Sequence, residues 1–130
     1  MDNIAYVANC LDEVAAEWPT LPDVVFAGFS QGVAMAFRAA VHTTRRVAGV
    51  VAVGGDVPPE LTPDALKRVG AALIVRGTSD AWYTKEKCAE DEQRLRDSGV
   101  GLHTVEFEGG HEWSGAVNLA AAQFLHQRHP

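Results

Sequence analysis

A serine between glycines is the first feature of the chain that could do chemistry. Residues 28–32 read Gly-Phe-Ser-Gln-Gly, a GxSxG pattern centred on Ser30. A serine hydroxyl is a weak nucleophile at neutral pH, so it needs a neighbouring base, and that base needs a third group that fixes its tautomer. The pattern is short enough to occur by chance. Its meaning therefore depends on the elements around it and on an acid and a histidine elsewhere in the chain.

Two later motifs offer the acid and the histidine. Asp80 ends the run Arg-Gly-Thr-Ser-Asp, and His111 follows two glycines in the run Glu-Gly-Gly-His. Each motif comes shortly after a run of apolar residues. Asp56 also follows such a run and is a competing candidate for the acid. The remaining histidines fit a catalytic position less well, because they fall inside, at the end of or beyond predicted elements: His42, His103, His126 and His129.

The hydrophobic pattern around these motifs predicts alternating strands and helices. Each predicted strand is a short, continuous run of apolar and often β-branched residues, which is typical of a parallel strand buried on both faces. The runs cover residues 24–29, 47–53, 71–76 and 102–107.

The intervening segments have helical spacing or helix-capping residues. An amphipathic helix is predicted over 3–18, an enclosed one over 31–42, and a short one opened by Thr62 and Pro63. A solvated helix over 84–98 presents a thin apolar face through Cys88 and Leu95. Ser114 is predicted to cap a last helix, whose inward-facing residues are Val117, Ala121, Phe124 and Leu125.

This alternation predicts one α/β domain over residues 1–130, with a four-stranded parallel sheet and helices on both faces. Sites in parallel α/β sheets lie beyond the carboxyl ends of the strands. Because Ser30, Asp80 and His111 each follow a predicted strand, we expect them to meet at that edge.

Composition excludes several other classes of protein. The content of 47% hydrophobic and 22% charged residues is typical of a globular domain. The net charge is −6 and no basic run is denser than the pair Arg45 and Arg46, which argues against nucleic acid as a partner. The two cysteines, Cys10 and Cys88, lie in no metal-ligand spacing. The sequence shows neither a membrane-spanning run nor a signal peptide, so we expect a cytoplasmic protein.

Taken in order, the three motifs resemble those of serine esterases of the α/β-hydrolase superfamily, nearest the phospholipase and carboxylesterase group. The similarity covers residues 23–125. It implies that Ser30 is the nucleophile, His111 the general base and then acid, and Asp80 the group that orients His111. It also implies that the backbone N–H of Gln31 is one donor of the oxyanion hole. The expected substrate is a small carboxylic ester, hydrolysed without metal or cofactor.

The sequence departs from the resembled family in its number of strands. The family normally has about eight strands, whereas four are predicted here, so we expect a truncated, minimal α/β-hydrolase fold. A loop before the nucleophile strand normally supplies the second oxyanion donor, and the segment before Ser30 contains no His-Gly or Gly-Gly sequence. A catalytically degenerate scaffold that acts as a binding module therefore stays open, as does a thioesterase or peptidase.

The truncation also has a consequence for the strand at 24–29. An apolar strand with an unpaired edge favours association. We therefore expect that two copies form a homodimer over this edge or that the helix at 3–18 covers it. A third interpretation is that the chain is a fragment of a longer gene product.

Overall fold

The computed structural model describes residues 23–128 of the chain. Within them, four parallel strands form one sheet in the order β1-β2-β3-β4. These strands match the predicted ones to within one residue at each end. Their bounds are β1 Val24–Phe29, β2 Val47–Val53, β3 Ala71–Gly77 and β4 Gly101–Phe107.

Helices connect the strands and follow the last one. Thr62 caps the second helix as predicted, because its Oγ1 accepts a hydrogen bond from the N–H of Ala65 at 3.2 Å. The predicted helix at 3–18 lies outside the described residues. The helices are α1 Gly32–His42, α2 Pro63–Leu66 with a 3₁₀ turn at Lys67–Val69, α3 Lys85–Asp97 and α4 Gly115–Arg128.

The helices cover both faces of the sheet, as predicted. Each step from one strand to the next moves in the same direction across the sheet, so right-handed crossovers place α1, α2 and α3 on one face. That face packs around Phe37, Ile74 and Leu95. On the opposite face α4 packs against alternate strand residues, among them Val51, Leu73 and Val75. Burying a side chain of this kind contributes about 1.5–3 kcal/mol of hydrophobic stabilisation.

Two predictions about α4 are wrong in detail. Leu125 was expected to face inward but is 41% exposed, whereas Ala120 is buried beside Val117 and Phe124. Ser114 precedes the helix, and its carbonyl oxygen accepts from the N–H groups of Val117 and Asn118. Its buried hydroxyl, however, has no hydrogen-bond partner in the described part of the chain, so the side chain does not cap the helix.

The four strands end at the same edge of the sheet, where β3 and β4 extend two residues beyond β1 and β2. Phe29 at the end of β1 pairs with Val53, and Gly77 at the end of β3 pairs with Phe107. The loops that follow the four strands therefore meet beyond this edge. These loops carry all three residues predicted to do chemistry.

No helix between residues 23 and 128 is long and apolar enough to span a membrane.

Candidate active site

The turn between β1 and α1 holds Ser30 in an uncommon backbone conformation. Ser30 has a φ of +58°, in the left-handed region that residues with a side chain rarely adopt. Its N–H donates to the carbonyl oxygen of Val53 at 2.9 Å, and its carbonyl oxygen accepts from the N–H of Val33 at 3.1 Å. Such strain persists only where the surroundings over-determine it, and it is concentrated at functional sites.

Close backbone packing explains one glycine of the motif. A Cβ on Gly28 would lie 2.2 Å from the carbonyl oxygen of Gly32, so no side chain fits there. A Cβ on Gly32 would meet nothing within 4 Å among the described residues. Gly55, after β2, packs equally closely, because its Cβ would lie 2.2 Å from the carbonyl oxygen of Ser30. The serine turn is therefore enclosed by backbone on two sides.

His111 lies between Ser30 and Asp80. Its Nε2 is 2.9 Å from Ser30 Oγ, and its Nδ1 is 2.8 Å from Asp80 Oδ2. An ionised Asp80 accepts the Nδ1–H, which leaves Nε2 unprotonated and able to accept the serine hydroxyl proton. The structure thus brings together the three residues that the sequence singled out, although Ser30 and His111 are 81 positions apart.

Backbone donors hold the other oxygen of the Asp80 carboxylate. Oδ1 accepts from the N–H of Trp82 at 2.9 Å and from the N–H of Tyr83 at 2.8 Å. The side chain is only 1% exposed. Burial acts to raise the pKa of Asp80, but the hydrogen bonds from His111, Tyr83 and Trp82 outweigh it and hold the pKa below its ordinary value. Asp80 is therefore ionised at neutral pH.

The competing acid, Asp56, lies in a different setting. It lines a cavity of about 400 Å³ together with residues of α3, among them Lys87, Asp91 and Arg94. The nitrogen of His111 that an orienting acid would contact is instead bonded to Asp80. The geometry therefore favours Asp80 over Asp56 for that role.

The chain is similar to a known protein family over nearly its whole length. The sequence matches the family model described as Phospholipase/Carboxylesterase over residues 1–127. The chain belongs to the phospholipase/carboxylesterase family. No curated protein matches the sequence at a significant level.

Solved structures show that the fold is the one found in α/β-hydrolase esterases. Arabidopsis thaliana SOBER1 aligns with a TM-score of 0.79 at 21% identity, over 96% of this chain and 62% of its own. The Bacillus cereus carboxylesterase gives 0.72 at 20% identity, over 95% and 59%. Zea mays acyl-protein thioesterase 2 gives 0.69 at 20% identity, over 96% and 62%. This phospholipase/carboxylesterase family chain thus spans about three fifths of the structures it matches.

Aromatic side chains flank the histidine of this family member. The rings of Phe29 and Trp82 lie with centroids 4.9 and 5.2 Å from that of His111, and both are partly exposed. Two further apolar residues that follow strand ends, Val57 after β2 and Trp113 after β4, make other contacts. Val57 is buried in the core, and the Trp113 indole donates to Asn118 Oδ1 at 2.6 Å. Of the four, Phe29 and Trp82 therefore lie against the candidate base.

Sequence reasoning did not identify Tyr83 and Asp91, which are linked to Asp80 by hydrogen bonds. Tyr83 is fully buried, and its hydroxyl donates to Asp91 Oδ2 at 2.8 Å. Asp91 lies on α3 three residues after Cys88 and four before Leu95, so it belongs to the face that was predicted to be apolar. A carboxylate within an apolar helical stripe is the signal that could have identified it.

The described part of the chain contains neither a reactive thiol nor a group of side chains that could hold a metal ion. The Cys88 thiol is buried, and burial together with the neighbouring Glu92 raises its pKa to about 12, so it stays protonated. Cys10 lies outside the described residues. Within residues 23–128, no three histidine, cysteine, aspartate or glutamate side chains are grouped so as to hold a metal ion.

Proposed function

We propose that this protein is a serine hydrolase that cleaves small, short-chain carboxylic esters through an acyl-enzyme. The observation that carries the proposal is the continuous hydrogen-bond chain from Asp80 through His111 to Ser30. Membership of the phospholipase/carboxylesterase family supports the same reaction class. The proposal assigns Ser30 as nucleophile, His111 as general base and acid, and Asp80 as the orienting acid.

In the acylation step, Ser30 Oγ attacks the ester carbonyl carbon while His111 Nε2 takes the hydroxyl proton. The carbonyl oxygen becomes an oxyanion. The N–H of Gln31, at the N-terminal end of α1, is the donor we assign to it, since a helix N-terminus carries partial positive charge. Collapse of the tetrahedral intermediate breaks the ester C–O bond, and His111 returns the proton to the departing alcohol. Asp80 stabilises the imidazolium meanwhile.

In the deacylation step, water attacks the acyl carbon and His111 takes one of its protons. Breakage of the bond to Ser30 Oγ then releases the carboxylic acid, and the proton returns to the serine. Small esters are the proposed substrates because the connections at this edge are short. Residues 54–62, 78–84 and 108–114 separate the regular elements there, and none is long enough to form a lid.

The proposal is tested by hydrolysis of a short-chain chromogenic ester with the wild type and the Ser30→Ala variant. We expect Ser30→Ala to lower kcat by at least about 10³-fold, because the reaction loses its nucleophile. Ser98→Ala is the matched control, since the Ser98 hydroxyl donates to the Arg94 carbonyl oxygen at the C-terminal end of α3. Its rate should stay within about two-fold of the wild type.

A serine-directed phosphonate separates this proposal from a degenerate scaffold. An activated Ser30 is labelled, whereas a binding module stays unmodified. Equal, negligible rates for the wild type and Ser30→Ala, without labelling, would contradict the proposal. Parallel assays with the thioester and the amide of the same acid test whether a thioesterase or a peptidase describes the protein better.

A further inference from the structure

Tyr83 is fixed to the rest of the protein at every polar group it has. Its ring is fully buried in the core. Its N–H donates to Asp80 Oδ1 at 2.8 Å, its carbonyl oxygen accepts from Arg76 Nε at 3.1 Å, and its hydroxyl donates to Asp91 Oδ2 at 2.8 Å. A displacement of this residue would therefore be transmitted directly to the carboxylate that contacts His111.

Asp91 connects Tyr83 with a second loop of the site. The same Oδ2 that accepts from Tyr83 also accepts from the N–H of Val57 at 3.2 Å. Val57 lies in the loop after β2, whose Gly54 and Gly55 pack against the site. A Cβ on Gly54 would lie 3.2 Å from His111 Nδ1 and 3.3 Å from Asp80 Oδ2. One buried carboxylate thus ties together the acid loop and the loop that packs against Ser30 and His111.

We infer that Tyr83 and Asp91 are positioning residues for the hydrolysis, because they hold the Asp80 carboxylate in the orientation that presents Oδ2 to His111. The inference rests on the proposed function. The N–H groups of Trp82 and Tyr83 occupy Oδ1, so the place of Tyr83 decides which way the carboxylate faces. Neither Tyr83 nor Asp91 touches the reacting atoms, so both act through Asp80.

The protonation states of the pair suit this role. Burial and the neighbouring Asp91 raise the pKa of Tyr83 far above neutrality, so its hydroxyl always remains a donor. Burial raises the pKa of Asp91 to about 6, and Asp56 adds to that effect. The Tyr83 hydroxyl, the Val57 N–H and the Arg94 guanidinium oppose it. At neutral pH Asp91 is therefore ionised, and its hydrogen bonds are charge-assisted and strong.

The first test compares Tyr83→Phe with the wild type, using the short-chain ester. Phenylalanine keeps the ring but lacks the hydroxyl, so we expect kcat to fall about 10- to 100-fold as Asp80 loses its fixed orientation. KM should stay within about two-fold, since substrate binding is not involved. Leu95→Val is the matched control for lost stability, because Leu95 lies on the same buried face of α3 and takes no part in the network. Its kcat per folded molecule should be unchanged.

The second test changes Asp91. Asparagine keeps a carbonyl oxygen that can accept from Tyr83 and Val57, so Asp91→Asn should retain kcat within about three-fold. Asp91→Ala removes the acceptor and should lower kcat about tenfold or more. Because Asp91 borders the cavity of about 400 Å³, water can hydrate the Tyr83 hydroxyl and the Val57 N–H when the carboxylate is removed. Asp91→Ala therefore tests the inference even if Tyr83→Phe does not fold.

An NMR measurement of the His111 Nδ1 proton does not depend on turnover. A proton held in the bond to Asp80 exchanges slowly with water. It should be visible in the wild type, Leu95→Val and Asp91→Asn, and lost or broadened in Tyr83→Phe and Asp91→Ala. If Ser30→Ala hydrolyses ester as fast as the wild type, the proposed function fails, yet this proton still tests the inference. Folded Tyr83→Phe and Asp91→Ala variants with wild-type kcat and an unchanged Nδ1 proton would overturn it.

Discussion

The two oxygens of the Asp80 carboxylate have different partners. Backbone N–H groups bind Oδ1, and His111 binds Oδ2. This division keeps the acid ionised in spite of its burial and aligns the histidine ring with Ser30. In Asp91, by contrast, one oxygen accepts from both a side-chain hydroxyl and a backbone N–H. Both carboxylates are buried, but their environments move their pKa values in opposite directions.

A comparison of Asp80→Asn with Asp56→Asn tests which acid orients His111. The amide at position 80 favours the wrong tautomer of the histidine, so we expect kcat to fall by about 10³- to 10⁴-fold. Asp56→Asn should leave kcat within a few-fold, because Asp56 lines the cavity beside α3. Steady-state kinetics on the same ester measures both. A larger loss for Asp56→Asn than for Asp80→Asn would contradict the assignment.

Asp91 should make the stability of the fold depend on pH. Its folded pKa of about 6 lies above the ordinary 3.8, so the folded chain binds the proton more tightly than the unfolded one. The resulting stabilisation is fully present below about pH 4 and is lost as the pH rises through about 6, a change of about 3 kcal/mol. Asp91→Asn lacks this change. Urea unfolding of both proteins at several pH values between about 4 and 7 measures it.

A free energy of unfolding that varies with pH equally in both proteins would show that Asp91 does not titrate in this range. Asp80 contributes with the opposite sign. Its lowered pKa gives stability that is present above its ordinary value and is lost as the pH falls through the folded one. The difference between the wild type and Asp91→Asn isolates the Asp91 effect, because Asp80 is common to both.

The turn from β1 to α1 depends on sterics more than on any side-chain contact. Ser30 is held at positive φ by backbone hydrogen bonds to neighbouring elements, and Gly28 and Gly55 allow backbone to approach it closely. The two glycines of the GxSxG motif therefore have different roles in the fold. Gly28 is required by contact, whereas Gly32 begins α1 with space around its Cα.

This difference predicts opposite effects of two alanine substitutions. Gly28→Ala should destabilise the protein by about 3 kcal/mol or more, since its Cβ would overlap the Gly32 carbonyl oxygen. Gly32→Ala should be neutral or stabilise by up to about 1 kcal/mol, because alanine favours the helix. Urea unfolding of the two variants beside the wild type gives both values. Equal losses in the two would show that the close approach at Gly28 does not limit the turn.

The outer edge of β1 is the reason to predict that two copies of the protein associate. Among residues 23–128, β1 pairs with β2 on one side only. Its sequence, VVFAGF, is apolar, and it is less buried than β2 and β3. Such an edge favours pairing with another strand.

We therefore expect the protein to form a homodimer that dissociates on dilution. Sedimentation velocity or light scattering over a wide range of concentrations measures this directly. A monomer at every concentration would contradict the dimer and favour the alternative prediction, that a helix at 3–18 covers the edge of β1. Those residues lie outside the described part of the chain.

The sequence by itself determined the order of the elements and the three residues that we propose as the triad. Hydrophobic periodicity and capping residues are local properties, so they located each strand to within one residue and gave the parallel sheet with helices on both faces. The motifs at 28–32, 76–80 and 108–111 were recognisable because each combines a strand end with glycine and one candidate catalytic residue. Leu125 was misjudged because its helical spacing fits the apolar face, whereas the packing of α4 buries Ala120 with Val117 and Phe124 instead.

Only the tertiary structure decided which acid faces His111 and what supports it. Asp56 and Asp80 both follow strands, and their spacing along the chain carries no information about the direction of their side chains. Tyr83 and Asp91 were not singled out, because a charged residue in a helix is normally solvated, and burial of Asp91 depends on donors that come from separate loops. Such contacts join residues far apart in sequence, and only the packing of the whole sheet with its helices brings them within hydrogen-bond distance.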